Sequence, residues 1–153
     1  FFEGLVPNRS TLMLMIEMCG RACSGRDWVG LLEACDIPKL ARNFSIDVDD
    51  GILYGILDCC RVWMATNKTS ATFRAMDTLI KMNETGIDPP PPHYMEDLLE
   101  VVSSSLDKVR IFLLWLQIVE ERVPDDQEEK NPGWTDIREL KLHFKGIVDR
   151  SIN

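Results

Sequence analysis

Five cysteines are the residues of this 153-residue chain best suited to chemistry, since a thiolate serves both as nucleophile and as soft metal ligand. Cys19 and Cys23 stand one helical turn apart and could clamp a metal ion. No CxxC pair and no nearby histidine completes a tetrahedral set, so neither a zinc site nor any other metal site is expected. Cys35, Cys59 and Cys60 also fall in or beside apolar stretches, and an odd count of this kind reads as reduced, buried thiols. The two histidines offer little more. His93 follows four prolines, His143 sits in a lysine-rich stretch, and no acid or nucleophile is placed beside either, so both are expected at the surface. Asp47, Asp49 and Asp50 could suggest calcium, but DVDDG lacks the ligand spacing and terminal glutamate of an EF-hand. Helix capping is the expected role of these acids. With no glycine-rich phosphate loop either, the chain is expected to be no enzyme and to hold no cofactor.

The elements that would carry these residues are helices throughout. Leu12, Met15, Ile16 and Cys19 recur at helical spacing after a cap at Ser10 or Thr11, and Ser24 and Gly25 break that run. Asp27 to Cys35 reads as a short returning helix. Asp36, Ile37 and Pro38 look like a fresh start, because proline's missing donor costs nothing in a first turn, with Leu40 and Phe44 as anchors. From Ile52 to Ala65 a broad stripe of paired apolar residues marks a helix, and Thr66 to Ser70 a polar loop. Phe73, Met76, Leu79 and Ile80 share one face of the next helix, which Gly86 closes and Pro89 to Pro92 prevent from resuming. His93 to Val102 and Leu106 to Arg122 follow. The second of these is apolar around most of its circumference and must be covered from two directions. Residues 1–123 thus form a helical domain, 124–133 a polar acidic linker (PDDQEEKNP lies within it), and 134–153 a last amphipathic helix with Trp134, Ile137, Leu140, Phe144 and Ile147. The count is seven to eight helices, with no strand.

Composition narrows the functional classes. A hydrophobic share of 45% excludes general disorder. The longest nearly unbroken apolar run, Ile111 to Val119, is about half the roughly 20 residues needed to cross a bilayer, so no membrane span is expected. The net charge is −8, of which residues 71–153 supply −6 from 10 basic and 16 acidic side chains. That balance disfavours nucleic acid, whose binding rests on neutralising phosphates. Four of the six asparagines, Asn8, Asn43, Asn67 and Asn83, lie in N-x-S/T sequons, which would suit an ectodomain. Reduced cysteines of odd number weigh the other way, towards an intracellular location, cytoplasmic or nuclear.

The stretch AMDTLIKMNETGIDPPPPHYMEDLL resembles the junction between two pentatricopeptide repeats. The residues that carry the likeness are Ala75, Met82, Gly86, Ile87, Pro89 and Tyr94, and GLVPN at Gly4 to Asn8 and LDKV at Leu106 to Val109 echo other parts of the pattern. The likeness covers about 40 residues. The loop at Thr66 to Thr72 is longer than the family's, and the first hairpin lacks the alanine. What the resemblance implies is an all-α stack of antiparallel helical hairpins, a fragment of an α-solenoid of pentatricopeptide or tetratricopeptide type. It also implies single-stranded RNA as ligand, read by polar side chains close to positions Leu14, Ile56, Glu96 and Pro91. None of these is the Asn, Ser or Thr that base readout uses.

The expectation is therefore a non-catalytic helical-repeat scaffold that binds a protein segment or its own copy within a larger intracellular protein. RNA contacted through its backbone is the alternative, and a compact death-fold-like bundle, suggested by DWVGLLEACDI, the third. Partner contacts are expected from the surplus apolar side of Leu106 to Arg122, namely Ile111, Leu114, Trp115 and Ile118, together with Trp134.

Overall fold

The computed structural model describes residues 6–66 and 69–122, with the isolated helical positions Leu142, Lys145, Gly146 and Asp149. The linker, Trp134, His143 and most of the expected last helix lie outside the described residues. Six helices are present among the described residues, and no strand: α1 (Arg9–Ser24), α2 (Trp28–Asn43), α3 (Asp50–Met64), α4 (Thr69–Glu84), α5 (Pro92–Val101) and α6 (Ser105–Arg122). The chain is all-α. Its principal packing joins α1 to α2 and α3, α2 to α3, α3 to α4 and α5, and α6 to α4 and α5. One apolar cluster runs from Leu12 on α1 to Val119 on α6.

The helix count falls short of seven to eight partly because the break expected at Asp36 to Pro38 does not occur. Pro38 lies inside α2. A proline there costs a hydrogen bond and crowds the carbonyl four residues back, about 3 kcal/mol. Leu31, Ala34, Ile37 and Ala41 form one buried stripe across it, so packing on both sides of the proline holds the helix through it. α1 likewise begins earlier than its expected cap. Asn8 accepts from the Thr11 backbone amide at 3.0 Å while Thr11 Oγ1 accepts from the Asn8 amide at 3.2 Å, a reciprocal cap.

Of the acidic residues expected at a helix start, Asp49 and Asp50 are so placed, whereas Asp47 lies outside any helix; Asp27 is a further cap, outside that expectation. Asp27 Oδ1 accepts from Val29 N, Asp49 Oδ1 accepts from Ile52 N at 3.1 Å, and Asp50 lies in the first turn of α3. Asp49 also forms an ion pair with Arg9, joining the start of α1 to the start of α3.

Three helices end in the same knot. After α4, Gly86 takes a φ of +78°, its N–H donates to Asn83 O, and Ile87 N–H donates to Met82 O at 2.9 Å. α1 closes identically through Arg26 (φ +67°) with Asp27 N–H on Ala22 O, and α2 through Ser45 (φ +54°) with Ile46 N–H on Ala41 O. Only the first of these turns carries the glycine that relieves the left-handed conformation.

Two other glycines set the helix spacing. A Cβ on Gly55 of α3 would stand 2.3 Å from Cγ2 of Ile16 on α1, and one on Gly30 of α2 would stand 2.8 Å from the backbone oxygen of Cys19. The helices approach closer than any side chain at these positions would allow.

On α4 the buried side is Ala71, Thr72, Ala75, Thr78, Leu79 and Met82, whereas Phe73 and Ile80 are exposed. The stripe of large residues expected to face inward is thus rotated, because the small alanines admit the neighbouring helices. Phe73 is instead covered in part by the Arg110 guanidinium of α6, 5.3 Å from its ring centre.

Candidate functional site

The residues expected to face a partner are placed mostly inside. Ile111, Trp115 and Ile118 are buried and Leu114 is half-buried against the core, while Leu106 and Leu113 are the exposed large apolar residues of that helix. The apolar excess of α6 is covered by α4 and α5. Trp115 is 0% exposed and its indole N–H donates to Pro90 O at 2.8 Å, so the residue fixes the proline turn onto α6. Asp107, buried near the start of α6, accepts from Thr72 Oγ1 of α4 at 3.0 Å and from Arg110 at 3.2 Å. Arg122 reaches from the end of α6 to Oδ1 and O of Asn83 and to Asp88, supplying donors where the carbonyls of α4 run out. Of the other tryptophans, Trp28 and Trp63 meet edge to face at 5.1 Å.

The positions implied by the repeat resemblance scatter. Leu14 is exposed, Ile56 is buried, Glu96 and Pro91 are half-buried. His93 and Asp47 are exposed.

Three surface features remain. The first is apolar: Leu14 and Met18, one turn apart on α1, are 58% and 61% exposed. At 100° per residue they lie across the helix from Ile16, which packs against Gly55. The second is an open recess of about 550 Å³ at the proline turn, walled by Asp49, Asp50, Tyr54, Asp88, Pro89 and Pro91. Its Tyr54 ring meets Tyr94 edge to face at 5.1 Å, and the Tyr94 hydroxyl donates to Asp58 at 3.0 Å. Desolvation, then the Asp58 carboxylate, hold Tyr94 protonated well above the ordinary phenol range.

The third surrounds a thiol. Cys35 of α2, half-buried, opens into a recess of about 110 Å³ with Asp36, Ile56, Arg74, Asp77, Thr78 and Lys81. Cys60 of α3 is fully buried. The influence of Cys60, opposed by partial burial and reinforced by the Arg74 and Lys81 charges, lowers the Cys35 thiol to about 6. Cys60 is driven the other way, first by Cys35 and then by desolvation. The remaining thiols behave as packing groups. Cys19 is pushed up to about 11 by burial and Glu33, and Cys59 is raised further, first by burial and then by the neighbouring Cys23. All five cysteines are free, and no group of three or more His, Cys, Asp or Glu among the described residues could hold a metal ion. The sequence placed Cys35 beside an apolar run but gave no sign of its cations, which come from α4, some 40 positions on.

Among the described residues no helix is long and apolar enough to cross a membrane. Neither a protein-family model, nor a curated protein sequence, nor a solved structure matches the chain.

Proposed function

We propose that the chain is a non-catalytic helical-repeat module of divergent pentatricopeptide or tetratricopeptide type, which binds a protein segment or a second copy of itself. The order of packing supports this reading: the principal interfaces join helices one or two places apart in the chain, as in a row of hairpins. A bundle closed around one centre would instead pair first helices with last.

The single observation that carries the interaction role is the exposed Leu14 and Met18 on α1, across the helix from the side that α3 covers. In a row of hairpins, that is the side on which a further hairpin or a partner helix would sit. RNA is the lesser reading, because Ile56 is buried where a base-reading side chain should project and the net charge is −8.

Sedimentation velocity over a rising concentration series, run on the chain and on a Leu14→Ser, Met18→Ser double variant, tests the proposal. Self-association, or capture of a protein partner, that the double variant loses supports it. A strict monomer that captures nothing, or binding that survives the double variant, overturns it. Tight, salt-sensitive binding of single-stranded RNA would transfer the role to the second reading.

A further inference from the structure

Two exposed apolar stripes, one on α4 and one on α6, are not used by the interaction surface on α1. Phe73 and Ile80 stand seven residues apart on α4, Leu106 and Leu113 seven apart on α6, and all four are between 40% and 58% exposed. The stripes border one another. Arg110, between Leu106 and Leu113 on the same side of α6, holds its guanidinium 5.3 Å from the centre of the Phe73 ring. The helices also run the same way, since Thr72 meets Asp107 near both starts and Asn83 meets Arg122 near both ends. Ile80 therefore advances along the pair with Leu113. Four large apolar side chains make one ridge, where exposed residues scattered singly would call for no explanation.

We infer that residues 134–150 dock on this ridge as an amphipathic helix, with Ile137, Leu140, Phe144 and Ile147 against it. The segment lies almost wholly outside the described residues, and its sequence and attachment name it as the occupant. Its apolar residues repeat at the pitch of the ridge: Ile137 and Phe144 are seven apart, as are Leu140 and Ile147, about 10.5 Å along a helix. At 100° per residue these four fall within an arc of about 80°, and Leu142, Lys145 and Asp149 lie about 150° round from its centre. Those three are helical and exposed, Leu142 at 70%, on the side that a docked helix would turn to solvent.

The tether is long enough and short enough. α6 ends at Arg122, and the 11 residues from 123 to 133 extend at most about 40 Å, whereas α6 itself is about 27 Å long. The segment can fold back along the whole ridge. A tether of this length holds it at an effective concentration on the order of millimolar, which a second copy would match only at that protein concentration. Charge acts in the same direction: residues 134–153 carry 4 basic and 3 acidic side chains, and the 133 residues before them carry 13 and 22. Docked there, the segment covers Phe73 and Leu113 and leaves Leu14 and Met18 on α1 open, so the two faces serve different occupants.

Hydrogen–deuterium exchange of the whole reduced chain, read by mass spectrometry at a low and a high protein concentration, tests this. Residues 137–147 should exchange at least about tenfold slower than linker residues 125–131, by the same factor at both concentrations. A Leu106→Glu, Leu113→Glu double variant should abolish that protection while exchange in α1 to α3 stays as in the parent, since both positions are exposed. Ile137→Glu with Phe144→Glu should do the same from the other side of the contact. Leu14→Ser with Met18→Ser should leave the protection intact, which separates this inference from the α1 interaction surface. Residues 137–147 exchanging as fast as the linker, or protection that survives the charges at Leu106 and Leu113, would overturn the inference. Protection that grows with protein concentration would give the ridge to a second copy and overturn it equally.

Discussion

The indole N–H of Trp115 on α6 donates to the carbonyl oxygen of Pro90 over 2.8 Å, at a position sealed from solvent. A proline run has few backbone donors of its own, and this bond is what docks it on the core. Trp63 makes the contrasting case: its indole nitrogen is buried with no hydrogen-bond partner among the described residues.

The same substitution should therefore cost different amounts at the two sites. Trp115→Phe leaves the Pro90 carbonyl buried without its donor and opens a small cavity, a loss of about 2–4 kcal/mol. Trp63→Phe removes an unpaired polar group along with some volume, and should cost no more than about 1 kcal/mol. Urea unfolding of the two variants, with unchanged m-values, checks the ranking.

Helix spacing at Gly55 and Gly30 can be probed in the same way. Gly55→Ala drives a methyl into Ile16 Cγ2 and should destabilise by about 1–3 kcal/mol. Ile16→Leu removes that branch methyl, so the double variant should recover part of the loss. Gly30→Ala meets the Cys19 carbonyl, part of the backbone, and trimming Ala22 to glycine should give no comparable rescue. A double-mutant cycle with near-zero coupling between positions 16 and 55 would contradict the contact.

Acid stability should depend on Asp49. Desolvation acts to raise its carboxyl, but the Arg9 guanidinium and the Ile52 and Gly51 amides outweigh it, and the group is held below the ordinary carboxylate range. Its stabilising contribution is thus present above about pH 4, the unfolded value, and disappears as pH falls through the lower folded value. Asp49→Asn keeps the cap, since the two residues cap about equally well, but removes this titration. The melting temperature of the parent chain should fall more between pH 5 and pH 3 than that of the variant.

The three helix-closing knots predict a gain as well as a loss. Ser45 holds a left-handed backbone that costs an L-residue about 1 kcal/mol, so Ser45→Gly should stabilise the chain by about that much. Gly86→Ala should cost a similar amount at the equivalent place. Thermal melts of both single variants give the signs directly.

These knots also show what the sequence could and could not convey. The turn at Gly86 was legible because the glycine stands at the left-handed position and prolines follow it. The turns at Arg26 and Ser45 have the same geometry without the residue that announces it. Asp49 was readable as a cap from residue type alone. The continuity of α2 was not, because Pro38 is a local stop signal that the packing of Leu31 and Ala41 overrides. The inward turn of Ile111, Trp115 and Ile118 was hidden for a related reason. A helix apolar on most sides gives no clue as to which neighbour covers which side, and the two that do so, α4 and α5, lie earlier in the chain. The Cys35 recess is further still from local reading, since its cations arrive from a separate helix.

Arg122 grips the last turn of α4 and the loop beyond it from the final residue of α6. Tension applied at that residue would enter the molecule through a guanidinium clasp rather than through the α6 backbone alone. Stretching would then load α4 and the proline turn together with α6, and these segments would resist peeling as one mechanical unit until the clasp let go.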